Sequence, residues 1–220
     1  MLTLSQVKKN PSVLEFISKT ELALEAIGYT EHGLKHSTLV AARARTVARE
    51  LGFSKKDQEL SAISGFCHDM GNFLGRKYHH YFAAMLFHQI FKDDFKPQEM
   101  TLILHALVCH DEGEMNFIHP VAAILVLADK SDVRRSRVTT KEIEKIKLDI
   151  HDRVNYAAVA SKLGINRKNK IITLSLKIDT SFVPLIEYFE IFTRRMIYCR
   201  KAAEYLGYKF GLVINNFKLL

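Results

Sequence analysis

Histidine and aspartate residues occur in the first part of this chain in a pattern that suits metal binding. Nine of the ten histidines precede residue 120, and His68-Asp69 is followed by Met70 and Gly71. Neutral imidazole and carboxylate groups are ligands for Zn, Fe, Mn, Co or Ni. Successive side chains on a regular helix point about 100° apart, so both reach one ion only at a helix end or a kink. Gly71 supplies such an end, which makes His68 and Asp69 candidate metal ligands, although a His-Asp pair is by itself a weak signal.

Asp129 is a second informative carboxylate. It closes the apolar run from Val121 to Ala128, which is long enough for a helix that is buried on every side. A buried charge is costly without a partner, and a metal cation is one such partner. The polar residues that follow, Lys130 to Asp132, equally allow Asp129 to cap a turn in water. From this residue alone the two interpretations stay open.

Apolar residues at helical spacing predict a succession of helices over the first two thirds of the chain. Ser54 is a predicted N-cap, Gly52 ends the preceding helix, and Pro97 and Pro120 fit first helical turns. Residues 143–154 predict one more amphipathic helix. These helices place the candidate ligands at or near helix ends: His36, His68, Asp69, His79, His80, His110 and Asp129.

The pattern changes in the last third. Residues 172–178 alternate apolar and polar side chains, which is typical of a half-buried strand, and residues 156–161 are a predicted partner across a turn at 164–170. A long helix after Pro184 and a last strand at 208–217 complete the prediction. We expect a helical metal-binding domain at 1–152 and a small α+β unit at 153–220 packed on it. The fold class is mainly α.

Composition limits the classes of protein. Hydrophobic residues make up 48% of the chain and charged residues 25%, with a net charge of +8, which suits a globular protein with anionic partners. The longest apolar run is far shorter than the roughly 18 residues of a membrane span. We therefore expect a cytoplasmic protein without membrane association. Cys67, Cys109 and Cys199 lie in apolar helical contexts and are predicted to be buried rather than paired.

The ordered set of motifs resembles one family. His36, the run His68-Asp69-Met70-Gly71, His79, His110 and Asp129 follow the order and spacing typical of the HD superfamily of metal-dependent phosphohydrolases. The resemblance covers about residues 35–137. It implies an HD-type helical bundle around a metal centre.

The resemblance also implies which residues bind metal. His36, His68, Asp69 and Asp129 are expected to hold a first ion. His79 and His110 are expected to hold a second ion, with Asp69 bridging both.

Two of these assignments choose between neighbouring histidines. His79 is preferred to His80 because relatives carry a small pair four and five residues after the ligand, where this chain has Ala83-Ala84. His110 is preferred to His105 because the sequence His110-Asp111-Glu112-Gly113 resembles the His-x-x-Gly of relatives.

Residues after Asp129 are candidate substrate contacts. The sequence Ala128-Asp129-Lys130, with Arg135 six residues after Asp129, is similar to a bacterial subgroup that resembles dinucleoside tetraphosphate hydrolases. Lys130 and Arg135 are therefore expected to bind phosphate oxygens. Asn72 departs from the family pattern, in which many relatives have Lys, and one phosphate contact is thereby lost.

These residues predict metal-dependent hydrolysis of a phosphoester or phosphoanhydride, with a nucleotide-like substrate, metal-activated water and Asp69 as a catalytic residue. One or two divalent ions are expected, with Fe first and Mn, Ni, Co or Zn as alternatives. A regulatory HD-fold module without turnover and a di-iron oxidative enzyme remain alternatives. The basic charge admits nucleic acid, which is not favoured because no basic stripe or stacking aromatics are visible in the sequence. The apolar C-terminal segments are compatible with a homodimer.

Overall fold

A computed structural model describes residues 2–111 and 116–219 of the chain. The chain divides into two compact units, Met1–Asp129 and Lys130–Leu220. The division between the two compact units follows Asp129, near the end of the helix Pro120–Lys130. The domain boundary after residue 152 stays a prediction of the sequence.

Helices are the only regular secondary structure among the described residues of the first unit. Its helices begin and end at residues with clear local causes: the Asn10 side chain accepts hydrogen bonds from two backbone N–H groups of α2, the Ser54 hydroxyl accepts one from α4, and Gly52 ends α3 at φ 86°. The α-helices are α1 (Leu4–Val7), α2 (Pro11–Glu25), α3 (Leu34–Leu51), α4 (Lys55–Cys67), α5 (His79–Phe91), α6 (Pro97–Cys109) and α7 (Pro120–Lys130), with short 3-10 turns at Asn72–Leu74 and Arg76–Tyr78.

Helices α3 and α4 approach each other closely because small residues face each other. A Cβ placed on Gly65 of α4 would lie only 3.0 Å from the Cα of Ala41 on α3. Helix α7 lies in the core, since every side chain from Val121 to Ala128 is fully buried. The predicted burial of this apolar run is thus confirmed. Close packing of these helices brings their ends, and the polar residues there, into one region.

The second unit combines short helices with a sheet. Its elements are a 3-10 turn at Arg135–Arg137, α8 (Ile143–Leu148), α9 (Ile150–Ala157), β1 (Ala158–Asn166), β2 (Ile171–Ile178), α10 (Leu185–Tyr205), β3 (Lys209–Ile214) and β4 (Phe217–Lys218). The single helix predicted at 143–154 is wrong. Asp149 has extended backbone and its side chain accepts hydrogen bonds from the N–H groups of His151 and Asp152, which starts a new helix.

Within the described residues, the four strands form one sheet in the order β1-β2-β3-β4. β1 and β2 are antiparallel, as predicted, although β1 extends to Asn166 and the turn is correspondingly shorter. β2 and β3 are parallel and are connected through α10. The single last strand predicted at 208–217 is wrong, because Asn215 and Asn216 adopt positive φ angles and turn the chain back into β4.

The predicted fold class is confirmed: the chain is mainly α with a small α+β unit at its C-terminal end. Across the part of the chain that the structure describes, no helix combines the length and apolarity needed to cross a membrane.

Candidate metal centre

The His68-Asp69 pair lies at a helix end, as the position of Gly71 predicts. Helix α4 ends at Cys67 and His68 is its C-cap residue. The Nδ1 of His68 lies 2.9 Å from the carbonyl oxygen of Gly65. A carbonyl only accepts, so Nδ1 carries a proton, and Nε2 is the nitrogen that can bind a metal ion when the ring is neutral. Both His68 and Asp69 are buried.

A first group of side chains converges on one face of Asp69. The Nε2 atoms of His36 and His68 are 3.2 Å apart. Asp69 Oδ2 lies 3.6 Å from the first and 3.2 Å from the second of these nitrogens. Asp129 Oδ1 completes the group at 3.4 Å from His36 Nε2 and 3.6 Å from His68 Nε2. The ends of α3, α4 and α7 therefore supply two imidazoles and two carboxylates to one point.

A second group converges on the other oxygen of the same carboxylate. The Nε2 atoms of His79 and His110 are 3.0 Å apart, and Asp69 Oδ1 lies 3.4 Å and 3.8 Å from them. The Nδ1 of His79 donates to the carbonyl of Arg76, and the Nδ1 of His110 donates to the carbonyl of Leu107. These backbone bonds leave both Nε2 lone pairs directed into the group.

The donor set fits metal ions. Ligand atoms about 2.1 Å from one ion, at octahedral or tetrahedral angles, lie roughly 3.0–3.4 Å apart. The nitrogen pairs of both groups have this spacing. Two imidazole lone pairs that face each other beside a carboxylate repel unless a cation lies between them. The buried groups His36, His68 and Asp69, and Asp69, His79 and His110, could thus each hold an ion.

The electrostatics of the first group also favour a cation. Burial lowers the pKa of His68, but the carboxylates of Asp69 and Asp129 outweigh it and raise this pKa to about 10. Burial acts to raise the pKa of Asp69, whereas His68 and His110 together hold it well below its usual range. Asp69 is therefore a carboxylate in the folded protein, with positive charge drawn to it.

In the second group the surroundings of His79 disfavour protonation, in contrast to those of His68 in the first group. Burial and, next to it, the neighbouring His110 lower the pKa of His79. The carboxylate of Asp69 raises it by less, so this pKa is about 3. A neutral imidazole is the form that binds metal. His79 is therefore already in the form of a metal ligand at neutral pH.

Glu31 supports the helix that carries His36 and is a residue that sequence reasoning missed. Its buried carboxylate accepts hydrogen bonds from the backbone N–H of Gly33 at 2.9 Å and from that of His36 at 3.1 Å. It therefore caps the first turn of α3 from outside the helix. An acidic residue just before a helix start was the available signal, but its burial could not be read from the local sequence.

Asn72 and Arg76 form a second feature that the sequence did not reveal. The Asn72 amide donates to Asp69 Oδ1 at 2.9 Å, and its oxygen accepts a hydrogen bond from Arg76 Nη1 at 3.0 Å. The same Nη1 lies 3.1 Å from His79 Nε2. A half-buried guanidinium thus lies at the edge of the second group. The sequence predicts the loss of a positively charged side chain at Asn72, but the guanidinium of Arg76 lies at the same place.

A third group that could hold an ion lies beside the second. Asp111 Oδ2 is 3.5 Å from the Nδ1 of His79 and 3.6 Å from the Nδ1 of His80. The ring of His80 is 6.5 Å from that of His110, whereas the ring of His79 is 5.0 Å away. His79, rather than His80, thus contributes to the group around Asp69. Glu112 and Gly113 of the motif at His110 lie outside the described residues.

Other histidines near these groups have different surroundings. His32 is buried, its ring is 5.6 Å from that of His36, and it helps to lower the pKa of Asp69. His105 Nε2 lies 3.2 Å from the sulfur of Cys109 and 3.0 Å from the carbonyl of Asn116. His151 is exposed on α9. In the described residues, none of these three belongs to the metal-holding groups.

The predicted substrate contacts Lys130 and Arg135 belong to the second unit. Lys130 is buried at the end of α7. Arg135 Nε donates to the carbonyl of Tyr156 at 2.5 Å, its guanidinium lies 4.4 Å from the Tyr156 ring centre, and its Nη2 is 3.8 Å from Asp179 Oδ2. These contacts hold the guanidinium within its own unit. A role in substrate binding stays a prediction for both residues.

Comparison with known proteins agrees with this geometry. A family described as HD domain matches residues 33–155, a range that contains the residues of all three groups. An uncharacterized protein of Methanocaldococcus jannaschii is 26% identical over 166 residues, which are 65% of this chain and 63% of that protein. The chain therefore matches less than two thirds of the length of this relative. On the family match, the chain belongs to the HD domain family, a superfamily of metal-dependent hydrolases.

Proposed function

We propose that this protein hydrolyses a phosphoester or phosphoanhydride bond in a nucleotide-like substrate, and that it uses a two-metal centre. One observation carries the proposal: the two oxygens of Asp69 face two separate pairs of imidazole Nε2 atoms. Paired ions bridged by a carboxylate are typical of enzymes that transfer or hydrolyse phosphoryl groups.

The ligand chemistry guides the choice of metal. Each group offers imidazole nitrogen and carboxylate oxygen, and no thiolate belongs to it among the described residues. Such mixed donors suit Fe or Mn, with Ni, Co and Zn as alternatives. We propose iron first. Bound ions would supply Lewis acidity toward phosphoryl oxygens and would lower the pKa of a coordinated water.

The protein's own residues have distinct parts in this proposal. Asp69 orients the centre, because it stays ionised between the two groups. It is also proposed as the acceptor of the proton that leaves the attacking water, since its two oxygens face both groups. Arg76 binds phosphoryl oxygens at the edge of the second group, where its guanidinium has both charge and directional N–H donors. Lys130 and Arg135 are proposed as further phosphate contacts. Burial of the ligands limits the access of bulk water to the centre.

Metal content is the first test. We would measure it by plasma mass spectrometry on protein purified without chelators or metal resins, for wild type, Asp69→Asn and Asp69→Ala. We expect up to two transition-metal ions per chain in wild type and a loss of both in the variants. Asp152→Ala is a matched control, because Asp152 forms the other His-Asp dipeptide of the chain and lies on α9. It should keep the wild-type content.

Turnover is the second test. Wild type loaded with Fe, Mn, Ni, Co or Zn would be assayed with bis-p-nitrophenyl phosphate and a panel of nucleotides and dinucleotides. Metal-dependent release of p-nitrophenol from the diester, or of phosphate or a nucleotide from the other substrates, supports the proposal, and its loss in Asp69→Asn links it to this centre. Bound metal without turnover would favour a regulatory HD-fold module. Consumption of oxygen with two bound iron ions would favour an oxidative enzyme. Protein that cannot be loaded with any of these metals would overturn the proposal.

A further inference from the structure

The basic charge of the chain belongs to one of its two units. Residues 130–220 contain 19 Lys and Arg against 9 Asp and Glu, whereas residues 1–129 contain 13 against 15. The second unit therefore carries a net charge of +10 and the first unit −2. The whole-chain charge of +8 conceals this separation. The candidate metal groups lie in the first unit, and among the 19 basic residues of the second unit only Lys130 and Arg135 are proposed as their phosphate contacts, so most of the excess has another cause.

Strand pairing collects part of this charge on one face of the sheet. The register joins Lys162 on β1 to Ser175 on β2, Ser175 to Val213 on β3, and Val213 to Lys218 on β4. Residues that pair across a sheet point to the same side. This row therefore carries a lysine at each end, Lys162 and Lys218.

Two more lysines share that side. Lys177 lies two residues beyond Ser175 on β2, and Lys209 on β3 pairs with Ile171. The opposite side carries the buried residues Leu174 and Leu212, and Leu212 lines an apolar groove together with side chains of α10. We call the side with Lys162, Lys177, Lys209 and Lys218 the lysine face.

The lysine face is accessible and has no acidic residues. All four of its lysines are exposed. The four strands contain no Asp or Glu, and no ion pair is found for these lysines within the described part of the chain. A Cβ on Gly164, in the middle of β1, would meet nothing nearer than the carbonyl of Thr173 at 3.9 Å. Space above the sheet is therefore open at this point.

The face continues into a basic cavity at one end of the sheet. A cavity of about 510 Å³ is lined by Lys168, Lys170, Lys209, Tyr208 and Glu204, with Asn169 and Gly207. Three of these side chains are lysines and one is acidic. The positive potential thus extends beyond the strands along the β1–β2 turn, where Arg167 is also exposed.

The structure points to a docking surface for the phosphate backbone of duplex nucleic acid, and we propose that the lysine face binds it. With strands about 4.8 Å apart and residues about 3.3 Å apart, the four lysines span an area of roughly 14 Å by 20 Å. The shorter distance is close to the major-groove width of about 12 Å that separates two phosphate ridges. Lysine is a point charge that contacts phosphates without reading bases, so we expect binding that is independent of sequence.

The chemistry of the face favours a duplex over a single strand or a membrane. Single-stranded nucleic acid is usually held by aromatic side chains on which bases stack, and the lysine face has none among its strand residues. Anionic membranes are usually bound with apolar or aromatic side chains that enter the lipid. The face instead offers Gly, Ser, Thr and Asn between its lysines, and its aliphatic strand residues Ile171 and Val213 are half-buried in the sheet rather than projecting as anchors.

The test is binding of a fluorescent duplex of about two helical turns, or about 20 base pairs, to the full-length protein. Fluorescence anisotropy would be measured between about 50 and 200 mM salt with DNA and with RNA. The triple variant Lys162→Gln, Lys177→Gln and Lys209→Gln removes charge from the face. The matched control Lys9→Gln, Lys55→Gln and Lys92→Gln removes equal charge at exposed positions of the first unit.

We expect wild type and the control to bind the DNA duplex with the same affinity, and the face variant to bind it at least tenfold more weakly. Weaker binding of the RNA duplex is expected, because its major groove is narrow. The slope of log affinity against log salt should fall by about 3, or about 1 for each lost phosphate contact. No binding at low salt, or equal weakening by the two triple variants, would overturn the proposal. Binding to vesicles with about 30% phosphatidylserine but not to duplexes would replace it with a membrane surface. Because no turnover is measured, the result is independent of the proposed hydrolase activity.

Discussion

Gly71 lies directly against the backbone of His79: a Cβ at Gly71 would come within 2.4 Å of the His79 carbonyl oxygen and 2.5 Å of the Ala83 nitrogen. The turn that follows His68-Asp69 thus serves as the packing surface for the first turns of α5. This contact brings a ligand of the second group to the carboxylate of Asp69. The glycine is needed here for close approach of two backbone segments.

Gly71→Ala is therefore expected to destabilise the protein. Backbone atoms cannot move aside as a flexible side chain does, so we expect the free energy of unfolding to fall by about 2–3 kcal/mol in urea denaturation. Gly164→Ala is the matched control, because its nearest atom would be 3.9 Å away, and a change within about 0.5 kcal/mol is expected. Equal stabilities for the two variants would show that α5 does not pack on this turn as described.

Single histidine variants should remove ions one at a time. His79→Ala and His110→Ala each take a nitrogen from the second group and leave the first intact, so the metal content should fall from two ions to one. His80→Ala is the control, since His80 belongs only to the group with Asp111. Plasma mass spectrometry on each variant measures the outcome. A loss of metal in His80→Ala equal to that in His79→Ala would move the second ion to the Asp111 group.

Glu31→Ala should weaken the start of α3. The variant leaves the N–H groups of Gly33 and His36 without their acceptor, and the cost of a lost helix cap is about 1–2 kcal/mol. Because His36 lies in this turn, metal affinity of the first group should fall as well. Thermal denaturation and competition with a chelator measure the two effects. Glu50→Ala, at an exposed position near the other end of α3, should change neither quantity.

Arg76→Gln should reduce affinity for phosphate. Charge-assisted hydrogen bonds are worth about 1.5–3 kcal/mol, so a loss of about tenfold or more is expected for inorganic phosphate on metal-loaded protein. Isothermal titration calorimetry measures this directly, and Arg76→Lys should recover part of the affinity. Lys77→Gln removes the adjacent exposed charge as a control. Unchanged phosphate affinity in Arg76→Gln would exclude Arg76 as a phosphate contact.

Glu99 gives a prediction for pH. Burial acts to raise its pKa, but the backbone N–H of Lys96 and the ammonium of Lys56 together lower this pKa below its usual 4.5. A depressed pKa stabilises the folded state above about pH 4.5, and this contribution is lost as the pH falls through the depressed value. Glu99→Gln should therefore unfold at lower urea concentration than wild type at pH 7. The two midpoints should converge as the pH falls below 4.5 and through the depressed pKa, and a difference that stays constant from pH 7 downward would contradict the assignment.

The local sequence was sufficient to predict the ends of the helices that carry the ligands. Gly71 after His68-Asp69, Pro120 before the apolar run and Asp129 at its end are short-range signals, because capping and the loss of a backbone N–H act within one turn. It was less informative between residues 143 and 217, where Asp149 breaks a helix and Asn215-Asn216 divides a strand. Apolar spacing continues across both breaks, so the spacing alone gave one element where there are two.

The sequence by itself determined the types of the candidate ligands, their order and the helix ends that present them. Only the tertiary structure decided that Arg76 reaches the place where Asn72 lacks a charge, and that Glu31 caps α3. The same holds for the lysine face, because each of its four lysines comes from a different strand. The physical reason is common to all of them. Propensity and capping depend on neighbours along the chain, whereas charge and hydrogen-bond contacts between distant residues depend on how elements pack and on strand register.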